Sequence, residues 1–307
     1  MTEIWTIQRL LLWTRDYLTK HGSPSARIDA ELLLGATLKL RRLELLLRFD
    51  QPVLPKELAE FKAFISRRAK GEPVAYILGH KEFYGLDLRV DRHVLVPRPE
   101  TESLVDAVLA FLQGPLDGKH APDAKALPAP AGDVLDLCTG SGAIAIAVAD
   151  ALRQRHDTAR KVVATDVCDQ AVAVALGNVR HHGLDSLVQV HTGDLFAAVP
   201  LGAQFAVVVS NPPYVLHDRI ATLDRDVRDF EPWLALDGGR DGLAVLRRIA
   251  SEVDAFLVPG GLCAVELGSR EQGAVMAAAL TAGGLAGARV EPLQGGPTSL
   301  VLARKPA

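Results

Sequence analysis

The chain has 307 residues, 49% of them hydrophobic, with 34 Lys and Arg against 37 Asp and Glu and a net charge of -3. That length supports two hydrophobic cores, and the near-neutral balance excludes a dominant phosphate-binding surface, so no direct nucleic-acid partner is expected. Three separated cysteines (Cys138, Cys168, Cys263) in or near apolar runs exclude a disulfide framework and fit reduced cytoplasmic thiols.

Residues 1–79 carry 13 basic against 9 acidic side chains, a local excess that suits an acidic partner or an ordinary solvated face. The first residues lack a basic leader before a long apolar block, and no run of about 18 uncharged apolar residues follows, so neither export nor a membrane span is expected. Ser23-Pro24 predicts a helix start, with Ile28, Leu32 and Ala36 along its inward face. A second helix begins near Pro55, places Leu58, Phe61 and Ile65 together, and stops at Gly71 after a basic last turn of Arg67, Arg68 and Lys70. Residues 1–75 are therefore expected to form a small helical domain, and 76–97 a connector with a β-hairpin.

Residues 114–132, rich in Ala, Pro, Gly and Asp, predict a surface loop. Strand and helix patterns then alternate. Asp133–Cys138, Lys161–Asp166, Leu187–His191, Gln204–Ser210 and Leu262–Leu267 read as strands, Ala143–Gln154, Asp169–His182 and Gly242–Leu257 as helices. Two more strands are expected at Ala288–Glu291 and Ser299–Arg304 as an antiparallel edge pair. This predicts an α/β domain over 98–307 with a mostly parallel, Rossmann-like sheet. His181 and His182, adjacent on a helix, point apart, so no metal site is expected.

Cys138-Thr139-Gly140-Ser141-Gly142 follows a buried strand and opens a helix. Glycines there let backbone amides approach a polar or anionic ligand. Asp166 ends the next strand 26 residues after Gly140, where a carboxylate can accept both hydroxyls of a ribose. A dinucleotide site also places an acid there, but its third glycine is Ala145 in this chain. Asp194 and Leu195 follow the third strand; the first can accept from the exocyclic amine of an adenine or cap a turn, and the second can pack on the ring.

Asn211-Pro212-Pro213-Tyr214 comes directly after the apolar fourth strand, at the sheet edge where ligands of open α/β proteins bind. An amide or aromatic amine nitrogen is a poor nucleophile because its lone pair is delocalised. The Asn211 side-chain oxygen and the Pro212 carbonyl are acceptors that can hold its two hydrogens and stabilise positive charge growing on it. The prolines stiffen the backbone, and Tyr214 can stack on a planar group. This clamp suits a protein amide or a DNA adenine equally; a DNA enzyme should add a basic recognition domain, which residues 1–79 do not supply.

With these motifs the sequence resembles the HemK-like release factor glutamine methyltransferases. The likeness runs over nearly the whole chain: Arg27-Ile28-Asp29-Ala30-Glu31-Leu32-Leu33-Leu34, Gly71-Glu72-Pro73-Val74-Ala75-Tyr76-Ile77-Leu78-Gly79, Glu82-Phe83-Tyr84-Gly85 and Val96-Pro97-Arg98-Pro99-Glu100-Thr101-Glu102. The resemblance implies a class I methyltransferase domain that uses S-adenosyl-L-methionine, releases S-adenosyl-L-homocysteine and needs no metal. Its implied substrate is the glutamine of the Gly-Gly-Gln loop of peptide chain release factors, linking the chain to translation termination. It places Cys138, Thr139, Gly140, Ser141, Gly142, Asp166, Asp194, Leu195 and Asn211 around the cofactor, gives Asn211 to Tyr214 the target glutamine, and puts Arg98 and Glu100 on the active-site rim. Because a glutamine side chain alone offers little binding area, the basic helical domain is expected to help dock the protein substrate. A monomer is expected. Two features depart from the pattern: Cys138 stands where glycine is usual, and the tail from Gly295 to Leu302 is closer to the sister family acting on a large-subunit ribosomal protein.

Overall fold

The computed structural model describes residues 4–113, 129–157, 159–293 and 298–307. Residues 114–128 of the expected surface loop and 294–297 of the tail lie outside the described residues. Two compact units are present, one of residues 4–80 with Leu223–Phe230, the other of Lys81–Thr222 with Glu231–Ala307.

The first unit contains α1 (Ile7–Lys20), α2 (Ala26–Leu38), α3 (Arg42–Leu47), α4 (Pro55–Ala69) and α5 (Val74–Leu78). Pro55 sits in the first turn of α4, where its missing N–H costs nothing. Ile7, Leu10, Leu18, Leu33, Leu34, Leu45, Phe61 and Ile65 share one buried cluster. Two expectations are corrected. α2 starts at Ala26, and Ser23 instead donates its hydroxyl to Asp29 Oδ2 at 2.6 Å. Ile28 and Leu32 are 42% and 38% exposed, while Ala26, Ala30, Leu33 and Leu34 turn inward. The inward face also carries Asp29, whose carboxylate receives Nε of the buried Arg68 at 2.6 Å. A charged residue on the core face interrupts the apolar spacing, so the four-residue repeat pointed to the wrong side.

The hairpin pairs β1 (His80–Phe83) with β2 (Leu86–Arg89). Tyr84 and Gly85 between them have φ of 53° and 74°, the mirror-image turn that matches strand twist. There follow α6 (Glu102–Gln113), β3 (Asp133–Leu137), α7 (Ala143–Gln154), β4 (Val162–Asp166), α8 (Asp169–His181), β5 (Val188–Thr192) and β6 (Phe205–Ser210). Then come α9 (Arg225–Phe230, in the first unit), α10 (Ala244–Phe256), β7 (Leu257–Leu267), α11 (Arg270–Ala282), β8 (Ala286–Pro292) and β9 (Ser299–Arg304).

The seven-stranded sheet has the order β5-β4-β3-β6-β7-β9-β8, parallel from β5 to β7, with β9 antiparallel to β7 and β8 antiparallel to β9. Central strands are covered on both faces and alternate sides with period two. Val134, Val207 and Val209 join α6 and α7 in one cluster, and Leu135, Val208, Cys263 and Val265 join α10 and α11 in another. β7 begins at Leu257 rather than Leu262, because Pro259-Gly260-Gly261 is carried within the strand where its register against β6 shifts. The chain winds one way from β3 and the other way from β6, so their adjacent carboxyl ends form the switch point of the fold.

Candidate functional site

At the end of β3 the backbone turns sharply. Cys138, Gly140 and Gly142 have φ of 59°, 55° and 82°. Glycine enters that region freely, whereas a side chain costs about 1–2 kcal/mol, which leaves Cys138 locally strained. Removal from water, then the charge of Asp166, pushes the Cys138 thiol up to about 12, so it stays protonated. The turn is stapled from below by Asp136, fully buried, which accepts from the Thr139 hydroxyl at 2.6 Å and from the Ala145 amide at 3.2 Å.

Asp166 ends β4 and faces the same turn. Its Oδ2 accepts from the Gly140 amide at 2.9 Å and its Oδ1 from the Cys168 amide at 2.9 Å, so one carboxylate ties two loops together. Burial raises its pKa while those amides, with that of Val167, oppose the rise. Leu195, 5% exposed and at φ 50°, follows β5. Asp194, read as an adenine contact, lies at the surface in a two-pronged pair with Arg248 of α10 at 3.1 and 2.9 Å.

The Ser210 hydroxyl donates to the Leu137 carbonyl at 2.8 Å, closing β6 onto β3 directly before the motif. Asn211 Nδ2 donates to the Thr101 hydroxyl at 3.1 Å, and the Tyr214 hydroxyl donates to Glu266 at 3.3 Å. The Tyr214 carbonyl receives the Gln272 side-chain amide at 2.9 Å. Burial and the neighbouring Glu266 charge raise the Tyr214 pKa, so its hydroxyl remains a donor. Arg98 spans both oxygens of the buried Glu231 carboxylate at 2.7 and 2.8 Å. Glu100, half-buried, lies in the short 3-10 turn Pro99–Thr101.

One cavity of about 340 Å³ brings most of these groups together. Cys138, Thr139, Gly140, Ser141, Asp166, Asp194, Leu195, Arg98, Asn211 and Pro213 line it, while Gly142, Glu100, Pro212 and Tyr214 are not among its lining residues. Phe83, His93, Thr101, Leu234 and Arg248 also line it, residues that sequence reading did not single out. Thr101 lies inside a quoted motif that gave it no role, and Arg248 lies on a helix whose charges carried no motif. The walls suit a nucleoside: Asp166 offers a carboxylate for sugar hydroxyls, Ile144, Leu195 and Val245 offer apolar cover for a ring, and a Cβ on Gly140 would meet nothing within 4 Å.

A glycine turn with Ala145 in the third position, an acid at the end of the second strand, and an Asn-Pro-Pro-Tyr segment at the switch point define a class I S-adenosylmethionine-dependent methyltransferase. Residues 9–79 match the family model described as the PrmC N-terminal domain, and residues 119–228 that of the methyltransferase small domain. The release factor glutamine methyltransferase of Geobacter sulfurreducens is 43% identical over 87% of this chain and 85% of its own length. That of Rhodopirellula baltica is 38% identical over 86% and 84%. Among solved structures, a methyltransferase from Pyrococcus furiosus shares the fold at a TM-score of 0.50 and 20% identity, covering 73% of this chain and 90% of that one. The chain belongs to the release factor glutamine methyltransferase family. The resemblance seen in its motifs therefore holds, and the alternation of strands and helices was correctly read as the parallel sheet of that fold.

Proposed function

We propose that this chain transfers a methyl group from S-adenosyl-L-methionine to the side-chain amide nitrogen, N5, of the glutamine in the Gly-Gly-Gln motif of peptide chain release factors. The observation that carries this reading is that Asn211 and Pro213 share one cavity wall system with Asp166 and the glycine turn. A nucleoside held by the turn and a flat amide held by Asn211 then meet in the same space. Membership of a family whose curated relatives are named for release factor glutamine supports that substrate.

When bound, S-adenosyl-L-methionine supplies an electrophilic sulfonium methyl. The residues of this chain supply orientation and charge. The Asn211 oxygen, on the cavity wall, accepts a hydrogen of the target NH2, aligning its nitrogen and stabilising the positive charge it gains. Arg98, held by Glu231, sets the rim of the cavity beside them. Asn211→Ala should leave cofactor affinity nearly unchanged by calorimetry and lower turnover on an unmethylated release factor at least about a hundredfold, the scale of losing one such electrostatic group. Undiminished turnover would remove Asn211 from the reaction.

A further inference from the structure

A buried row of polar side chains runs behind Asn211. Glu266, the penultimate residue of β7, is 1% exposed and does not line the cavity. Its Oε1 accepts from the Tyr214 hydroxyl at 3.3 Å, its Oε2 has no hydrogen-bond partner among the described residues, and the Thr101 hydroxyl lies near enough to hold the carboxyl down. Thr101, 4% exposed, meets Nδ2 of Asn211 at 3.1 Å. The elements involved are far apart in sequence: the turn before α6, the end of β6 and the end of β7.

A carboxylate can only accept, and this favours one order of donors along the row. A threonine hydroxyl has a single proton. Given to the Glu266 carboxylate, that proton is not available to Asn211, so Thr101 meets Asn211 as an acceptor. The amide of Asn211 must then turn its NH2 to Thr101 and its oxygen the other way. An asparagine amide is nearly symmetric in shape, and without such a neighbour its two orientations differ little in energy. Burial pushes the Glu266 carboxyl upward, and both hydroxyls oppose that rise.

We propose that Glu266 and Thr101 are positioning residues for methyl transfer: they lock Asn211 with its oxygen toward the substrate and fix the tilt of Tyr214, so that the site accepts an NH2 group and rejects a carbonyl oxygen in its place. The proposal rests on Asn211 being the acceptor for the target amide. It explains why an acid stands in the otherwise apolar strand Leu262-Cys263-Ala264-Val265-Glu266-Leu267, where an unpaired charge would be costly.

The test uses the intact enzyme, labelled S-adenosyl-L-methionine and an unmethylated bacterial release factor. Thr101→Val keeps the shape and removes the hydroxyl; it should lower kcat at least about tenfold while leaving cofactor affinity at the parental value, and Thr101→Ser should recover most of the loss. Glu266→Gln preserves volume but can donate to Thr101, which turns the hydroxyl proton toward Asn211; its kcat should also fall. In an Asn211→Ala background, Thr101→Val should have no further effect, because the group it orients is gone. Parental kcat in either Thr101→Val or Glu266→Gln, equal losses in Thr101→Val and Thr101→Ser, or additive losses on the Asn211→Ala background would each overturn the positioning role. Asn211→Ala at parental turnover would instead overturn the functional reading beneath it.

Discussion

Replacing Asp166 with alanine separates the two tasks its carboxylate performs. In the structure it accepts the Gly140 and Cys168 amides, and it also lines the cavity as the acceptor available to sugar hydroxyls. A hydrogen bond to a charged group contributes about 1.5–3 kcal/mol, so losing the ribose acceptor should weaken cofactor binding by about tenfold to 150-fold. The two amides lose their partner as well. Asp166 is only half-buried, so water replaces it in part, and the stability cost should be about 1–2 kcal/mol. That lowers Tm by about 2–4 °C per kcal/mol in a chain of this size. Titration calorimetry with S-adenosylhomocysteine reads the first effect and scanning calorimetry of the free enzyme the second. A lowered Tm with parental affinity would make Asp166 a staple between loops and remove it from the cofactor site.

The two glycines of the turn should respond differently. A Cβ on Gly142 would lie 3.0 Å from Ile146 Cδ1 and 3.3 Å from Ala175 Cβ, whereas one on Gly140 meets open cavity. Both variants carry the backbone cost of a positive φ, about 1 kcal/mol or more. Gly142→Ala adds the contacts with Ile146 and Ala175 and should lower Tm further, whereas Gly140→Ala should add a loss of S-adenosylhomocysteine affinity; matching effects on Tm and affinity in the two variants would contradict this division. Asp136 supplies a pH test. Burial pushes its carboxyl up to about 7 from an ordinary value of 3.8, against the pull of Thr139 and Ala145. The folded chain therefore binds that proton more tightly than the unfolded chain, and the contribution of Asp136 to stability is largest at low pH and declines as pH rises from 3.8 to about 7. Asp136→Asn should flatten the denaturation midpoint across that window relative to the parent, and parallel curves would refute it.

Much of the fold was legible because the central strands are buried on both faces and read as short apolar runs between turn residues. α6 and α11 were passed over. α6 carries Leu104, Val105, Val108, Leu109 and Leu112 at helical spacing, but it lies between the connector ending at 97 and the loop starting at 114, where the pattern reading assigned no element. α11 buries Gln272 and Gly273 together with Met276 and Leu280, a face too polar to stand out. In the site, Gly140, Asp166 and Asn211 could be found because each stands in a local motif at the end of a strand. Thr101, Glu266 and Arg248 could not. Their roles come from contacts that only the folded sheet creates, such as the bond from Asn211 to a threonine 110 residues earlier. The one available signal was Glu266 itself, a lone acid within an apolar strand.

The most direct test of the account is mass spectrometry of an unmethylated release factor after incubation with this enzyme and S-adenosyl-L-methionine. A single added methyl on the glutamine of the Gly-Gly-Gln motif, located by fragmentation to the side-chain amide and lost with Asn211→Ala, is the predicted result. A release factor left unmodified under conditions where another protein or DNA takes up the methyl group would contradict it.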